Sequence, residues 1–288
     1  MERAKKHLSR EVGLEIGSIC GKYFLKLEDL HYGYWTDGLE VDISNLHIAQ
    51  ENYSKFLISH IPEAVKTILD VGCGTGGLAR RLVEMGYEVD GVSPSPFFAA
   101  QGRDLLGGQT NIFECRYEEL QTQKRYDLAL FSESFQYLGM ETALEKTCRF
   151  LNPGGYMLIC DVFSKDIEGK GLQRGGHKLS KFRQVMTKYP FEPVEDLDIT
   201  EETAPTIDIM GDVLRNVGEP IFHLGLRFLA DRYPVAFKFL RWKYGKQVNK
   251  MREKYFNGDR TGETFKNFKS YRLVLCRKAS SSNSPVGG

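Results

Sequence analysis

The stretch Ile68-Leu-Asp-Val-Gly-Cys-Gly-Thr-Gly-Gly77 decides how this chain is read. Residues 67–71 are short and apolar and run straight into glycines at 72, 74, 76 and 77, which predicts a buried strand followed by a helix over 78–85. Gly72, Gly74 and Gly77 also satisfy the G-x-G-x-x-G spacing of dinucleotide sites, and that pattern alone discriminates poorly. Asp70 separates the readings. A pyrophosphate is held by backbone N–H groups at a helix N-terminus, and a carboxylate just ahead of the turn repels it. The same carboxylate favours a ligand that carries positive charge. The glycines let such a ligand pass close to the backbone.

Outward from this strand the pattern repeats. Strands are predicted over 87–92, 111–115, 126–131 and 156–162, with helices over 97–106 and 143–150 and a tight Asn152-Pro-Gly-Gly155 turn before the last strand. Strands alternating with helices predict a parallel sheet covered on both faces. Upstream, Leu46, Ala49, Tyr53, Phe56, Leu57 and His60 recur at helical spacing and stop at Pro62. Residues 1–44 are mixed. Strands at 191–200 and 271–277 bracket a helical insertion over 204–268, and the polar ASSSNSPVGG end is expected to be disordered. The expected organisation is one domain: N-terminal cap 1–62, core 63–200, helical lid 201–267, final strand region 268–278 and tail 279–288.

The 288 residues carry 39 basic and 38 acidic side chains, a formal net charge of +1. No global field draws such a chain to a polyanion, so a dedicated nucleic-acid binder is disfavoured. The N-terminal MERAKKHLSREV lacks the apolar core of a signal peptide, and no apolar run reaches the roughly 20 residues of a membrane span. Cys20, Cys73, Cys115, Cys148, Cys160 and Cys276 are scattered, without C-x-x-C pairs or metal-spaced histidines. They are expected to be reduced, in a cytoplasmic protein with no metal site.

S-adenosylmethionine carries positive charge, on its sulfonium and α-ammonium groups, and no phosphate. Together with Tyr126-Asp-Leu-Ala-Leu-Phe-Ser-Glu-Ser134 and Leu151-Asn-Pro-Gly-Gly155, the opening stretch resembles the class I S-adenosylmethionine-dependent methyltransferases, whose first motif reads close to LDVGCGTG. The resemblance covers about 67–162. It implies an α/β, Rossmann-like fold with a seven-stranded, mostly parallel sheet, helices on both faces and an antiparallel last strand, to which this chain adds a helical lid insertion. It also implies S-adenosylmethionine as cofactor, with S-adenosylhomocysteine as product, and places Asp70, Gly72, Cys73, Gly74, Gly76 and Ser132 around it. At the end of strand two the family usually has an acid for both ribose hydroxyls, whereas Ser93-Pro94 stands here. The cyclopropane-synthase-like and tocopherol-methyltransferase-like groups tolerate a hydroxyl residue at that point; Asp90, inside the strand, is the poorer substitute. Arg116 stands where an acid often meets the adenine amino group, leaving Tyr117 and Glu118 as the adenine-loop residues.

Methyl transfer is an in-line displacement that asks the protein for positioning and dryness, and for a base only when the acceptor must lose a proton. The N/D-P-P-Y motif of enzymes that methylate nucleobases or glutamine is replaced by Ser132-Glu-Ser-Phe-Gln-Tyr137, which resembles the E-S-x-E-H element of the tocopherol-type group. That resemblance makes Glu133 a candidate anchor or base, with Tyr137 second and Gln136 beside the acceptor; a helix-capping role for Glu133 is the alternative. His31-Tyr-Gly-Tyr-Trp35 resembles the segment that covers the cofactor in that group. It places Tyr34 at the methionine end, Tyr32 near the acceptor and His31 as a further candidate base, with an aromatic staple in the cap as the alternative.

In the insertion, Phe222, His223 and Trp242 are expected to face a bulky apolar acceptor, although such aromatic stripes more often form core. Residues 232–254 carry eight basic residues and one acid, either a solvated face or a peripheral contact with anionic lipid. The expected function is methyl transfer to oxygen or carbon of a small lipophilic metabolite of terpenoid, polyketide, sterol or quinone type. Two readings compete with it. A catalytically silent S-adenosylmethionine-binding module is opposed by the intact glycine loop and the large lid. A dinucleotide-dependent oxidoreductase is opposed by Asp70 and Ser93.

Overall fold

Side chains alternate along the strands and sort the core onto two faces. Ile68, Leu128, Leu130, Leu158, Cys160, Leu273 and Leu275 belong to one buried cluster; Leu69, Ala129, Phe131, Met157, Ile159, Val274 and Cys276 belong to the other. A strand apolar on both sides is stable only with helices above and below it. The computed structural model, which describes residues 2–280 except 109, 168–174 and 257, supplies them.

The chain runs α1 (Glu2–Leu25), α2 (Leu46–Ser59), β1 (Thr67–Val71), α3 (Gly77–Glu84), β2 (Glu88–Val92), α4 (Pro96–Leu106), β3 (Asn111–Phe113) and β4 (Tyr126–Ser132). It continues through α5 (Met140–Phe150), β5 (Leu151–Ser164), α6 (Leu179–Met186), β6 (Phe191–Asp198), α7 (Thr200–Thr203), α8 (Pro205–Val213), α9 (Glu219–Arg232), α10 (Pro234–Tyr255), α11 (Gly262–Phe268) and β7 (Lys269–Lys278). The seven-stranded sheet has the order β3-β2-β1-β4-β5-β7-β6, and β7 alone runs antiparallel, against both of its neighbours. α2, α3 and α4 cover one face with Tyr53, Leu57, Leu78, Leu82 and Leu106. α5 and α6 cover the other with Leu144, Phe150, Phe182 and Val185. This is the Rossmann-like sheet that the motifs imply.

β1 pairs with β2 on one side and β4 on the other, so the connections reverse direction there and open a crevice at the carboxyl ends of these strands. The N-terminal segment is pinned beside that crevice. Gly33 N and Trp35 Nε1 both donate to Thr206 Oγ1 at 3.0 Å, and Trp35 N donates to Glu202 O at 2.9 Å. A Cβ on Gly33 would lie 2.5 Å from Ala49 Cβ, so this close approach to α2 requires glycine.

Three expectations change. Residues 1–44 contain the 24-residue α1, whose residues 12–25 leave most of their apolar side chains exposed. Asn152–Gly155 is no free turn: β5 already begins at Leu151, paired with Tyr126, and the register shifts before Tyr156 meets Leu128. The Pro-Gly-Gly segment is therefore an irregularity carried inside the strand. The insertion expected to form a lid holds α8 to α11, but no described residue of α9 or α10 is buried. The disorder expected for 279–288 falls, from 281 onward, outside the described residues. The six cysteines are free, and no helix among the described residues is long and apolar enough to cross a membrane.

Candidate active site

Gly72 follows β1 at φ +82, and its N–H donates to Val92 O at 2.8 Å. Gly74 and Gly76 also have positive φ, +54 and +87, so the loop turns where side-chain-bearing residues are strained. A Cβ on Gly72 would sit 2.5 Å from Ser134 Cβ, on a residue whose Oγ is hydrogen-bonded to Val71 O. Gly72→Ala is expected to cost about 1–3 kcal/mol of stability. A lowered Tm and lost S-adenosylmethionine binding in calorimetric titration check this; an unchanged Tm would show that the loop yields.

Asp70 is the penultimate residue of β1 and is 2% exposed. Its Oδ2 is buried with no hydrogen-bond partner among the described residues. Burial, followed by the nearby Asp29 carboxylate, raises its pKa to about 7. An unpartnered buried acid is costly until a cation meets it. Asp29 lies above the same loop, its carboxylate 2.5 Å from where a Cβ on Gly77 would be, and Thr75 Oγ1 donates to Glu28 O at 2.6 Å. Burial works against the Asp29 charge, but His31 and Arg81 outweigh it and hold that carboxyl below its usual range. Two acids around a glycine turn fit a cationic ligand such as the ammonium end of S-adenosylmethionine and oppose a pyrophosphate.

Beyond the loop, β4 is followed by Glu133, a non-glycine residue in the left-handed region at φ +53. That turn directs the carboxylate into a ring of tyrosines. Glu133 Oε1 accepts from Tyr32 N at 2.6 Å and from Tyr271 Oη at 2.6 Å, and Tyr53 Oη lies 3.1 Å from Tyr271 Oη. The rings of Tyr32 and Phe265 are 5.9 Å apart and those of Tyr32 and Tyr271 5.5 Å. Burial raises the Glu133 pKa against the opposing pull of His31 and of its hydrogen bonds. The result is a buried, largely aromatic cluster around the Glu133 carboxylate, beside the glycine loop.

Residues 68–155 match a family model described as a methyltransferase domain. The chain carries an S-adenosylmethionine-dependent methyltransferase domain. It is 25% identical to an uncharacterized methyltransferase of Geobacillus kaustophilus over 172 residues, 58% of this chain and 74% of the relative. It is 30% identical to a ubiquinone biosynthesis O-methyltransferase of Bradyrhizobium sp. over 153 residues, 47% of this chain and 60% of the relative. In fold it is similar to geranyl diphosphate C-methyltransferase from Streptomyces coelicolor A3(2), with TM-score 0.64 and 17% identity, covering 88% of this chain and 92% of that one.

Within this methyltransferase fold, Ser93 is buried after β2, with its N–H on Phe113 O and its Oγ donating to Ser95 O at 3.5 Å; Pro94 beside it is exposed. Asp90 is committed elsewhere, to Lys124 Nζ at 2.9 Å and Tyr126 Oη at 2.8 Å, and does not replace a ribose acid. Cys73 packs its thiol onto Gly91, where a Cβ would lie 2.8 Å away. Ser132 Oγ is 3.2 Å from Tyr53 Oη. Glu118 keeps one buried oxygen without a hydrogen bond, Arg116 Nε being 3.6 Å away.

Other expected site residues are used differently. Tyr117 points into the core, its hydroxyl 2.9 Å from Thr147 Oγ1, because the short turn after β3 buries its ring against Phe131 and Phe150. Tyr34 stacks on Phe56 of α2 at 4.6 Å, so its ring packs the cap. His31 is no free base: Nδ1 meets Tyr32 O at 2.8 Å, while Nε2 faces Ser54 Oγ at 3.3 Å and Asp29 at 3.6 Å. Burial opposes its charge, but Asp29 raises its pKa, which makes it a positioning group for Asp29 and for the Tyr32 backbone.

Gln136 donates from N and Nε2 to Asp161 at 2.9 and 2.8 Å, and Tyr137 is 52% exposed beside it. Phe222, His223 and Trp242 do not reach the Glu133 cluster. Phe222 packs on Phe256, His223 Nε2 lies 3.5 Å from Glu219 on its own helix, and Trp242 is 80% exposed. Conversely, Asp29, Tyr53, Asp161 and Tyr271 belong to the site without having been read from the sequence. Tyr53 counted there as one more apolar position of α2, and Glu28-Asp-Leu30 carries no motif.

Proposed function

We propose that this enzyme transfers a methyl group to a hydroxyl oxygen or an acidic carbon of a small lipophilic acceptor, with Glu133 taking the acceptor proton. The observation that carries this reading is the placement of Glu133, a buried carboxylate held by Tyr271 and the Tyr32 backbone among packed aromatic rings next to the glycine loop. Bound S-adenosylmethionine supplies an electrophilic methyl group on a sulfonium.

The residues of the chain account for the rest. Asp70 and Asp29 attract the ammonium end. We assign Ser93 and Glu118 to the nucleoside. Tyr32, Tyr53, Phe265 and Tyr271 exclude water, which strengthens electrostatics at the reacting atoms. A base matched to neutral pH must have its carboxylate raised above the usual range, and burial moves Glu133 that way. One relative is named for ubiquinone biosynthesis and one fold neighbour as a geranyl diphosphate C-methyltransferase. Both names support a lipophilic acceptor and leave oxygen and carbon open.

Incubation with methyl-labelled S-adenosylmethionine and a panel of phenolic, enolic and prenylated acceptors tests the proposal. Label on an apolar acceptor, with S-adenosylhomocysteine released in equal amount, is the expected result. Cofactor binding without S-adenosylhomocysteine release from any acceptor, host extract included, would overturn it.

A further inference from the structure

We infer that the α9–α10 hairpin is a docking element for an anionic membrane surface. Its exposure carries the argument. Ile221, Leu224 and Phe228 of α9 are each more than 60% exposed at helical spacing. On α10, Val235, Phe239 and Trp242 share one outward face, at 82, 55 and 80% exposure. A helical pair with large apolar side chains on its outer faces and no buried residue among those described is completed by something outside the chain.

Charge identifies the occupant. Residues 219–255 hold nine Lys and Arg against three Asp and Glu, a net +6 in a chain whose total is +1, so the remainder carries −5. This polarity turns the hairpin toward an anionic surface and the body away from it. Around the outward face of α10, Lys238 and Lys243 flank Phe239 and Trp242, and Lys246 continues the face by one turn. Cores of protein–protein interfaces are depleted in lysine, whereas helices lying in a bilayer interface combine Lys and Arg with Trp, Phe and Leu. The hairpin is not apolar enough to span a bilayer and therefore lies on its surface.

Trp242 provides the readout, because the other tryptophan, Trp35, is buried at 6% exposure. The full chain is mixed with phosphatidylcholine vesicles with or without phosphatidylglycerol, while tryptophan emission and co-sedimentation are followed. Expected are a blue shift and sedimentation with phosphatidylglycerol present, neither with phosphatidylcholine alone, and release by salt. Phe239→Ser should weaken partitioning about tenfold. Lys238→Glu should weaken it by about fivefold for each unit of charge changed. Circular dichroism confirms that each variant is folded, and calorimetric titration that it still binds S-adenosylmethionine.

Three results overturn the inference. One is folded protein that ignores phosphatidylglycerol vesicles at low salt. Another is sedimentation indifferent to Phe239→Ser. The third is an already blue-shifted emission in a concentration-dependent dimer, which assigns the face to a second copy of the chain.

Discussion

Glu133→Gln is expected to lower kcat by about 10²- to 10⁴-fold while leaving S-adenosylmethionine affinity nearly unchanged. The amide oxygen of glutamine can still accept from Tyr32 N–H and from Tyr271 Oη, so the two 2.6 Å contacts that fix the side chain are retained and the left-handed turn keeps its packing. Only the capacity to hold a proton is lost. Tyr271→Phe separates positioning from proton transfer. It removes a hydrogen bond to the base and should shift the acidic limb of the kcat profile upward, since that bond lowers the Glu133 pKa. Single-turnover transfer of labelled methyl measures both. An unimpaired Glu133→Gln enzyme would falsify the assignment of this carboxylate as base.

For Asp70→Asn two effects of opposite sign are expected. The Kd for S-adenosylmethionine should rise by about 10- to 100-fold, the worth of a hydrogen bond to a charged group. The ligand-free protein should become more stable at pH 8, because an unpartnered buried charge is gone. Burial puts the folded-state pKa of Asp70 at about 7, above the ordinary carboxyl value of 3.8. An acid with a raised folded pKa favours the protonated native state, so its contribution to stability is present at low pH and is lost as pH rises from 3.8 through about 7.

Cofactor affinity runs the other way. Below pH 7 a proton must leave Asp70 before a cation can pair with it, so Kd should fall about tenfold per pH unit up to about 7 and then level off. Titration calorimetry across pH 5–9 in wild type and Asp70→Asn reads this directly. A wild-type Kd that is flat with pH sinks the electrostatic account of the glycine loop.

The sheet and the cofactor loop were legible because their signals are local. An apolar run ending in spaced glycines, repeated strand–helix alternation, and Asp70 two residues ahead of the turn all lie within short windows. The Glu133 cluster was less legible. Glu133 was visible in its motif, but its partners Tyr32 and Tyr271, and Tyr53 behind Tyr271, come from an N-terminal loop, the last strand and a helix, which no periodicity links. Asp29 stands in an unpatterned segment and matters only because it folds over Gly77.

The aromatic density of residues 222–256 reads equally as a lid, a core stripe or a surface element. Composition reports that an apolar face needs covering and is silent about what covers it. Tyr117 shows the reverse case, since a family position was retained while local packing turned the ring inward against Phe131.

β7, the last strand, is threaded between β5 and β6 and brings Tyr271 to Glu133. The glycine loop and β4 are translated long before it, so a nascent chain can expose the crevice at β1 while the Glu133 carboxylate, the proposed base, still lacks its tyrosine clamp. Catalytic competence thus arrives with the final strand insertion. A product ending before residue 271 has a sheet with an open, unpaired edge on β5, which marks it for aggregation or quality-control proteolysis before it can act on any acceptor.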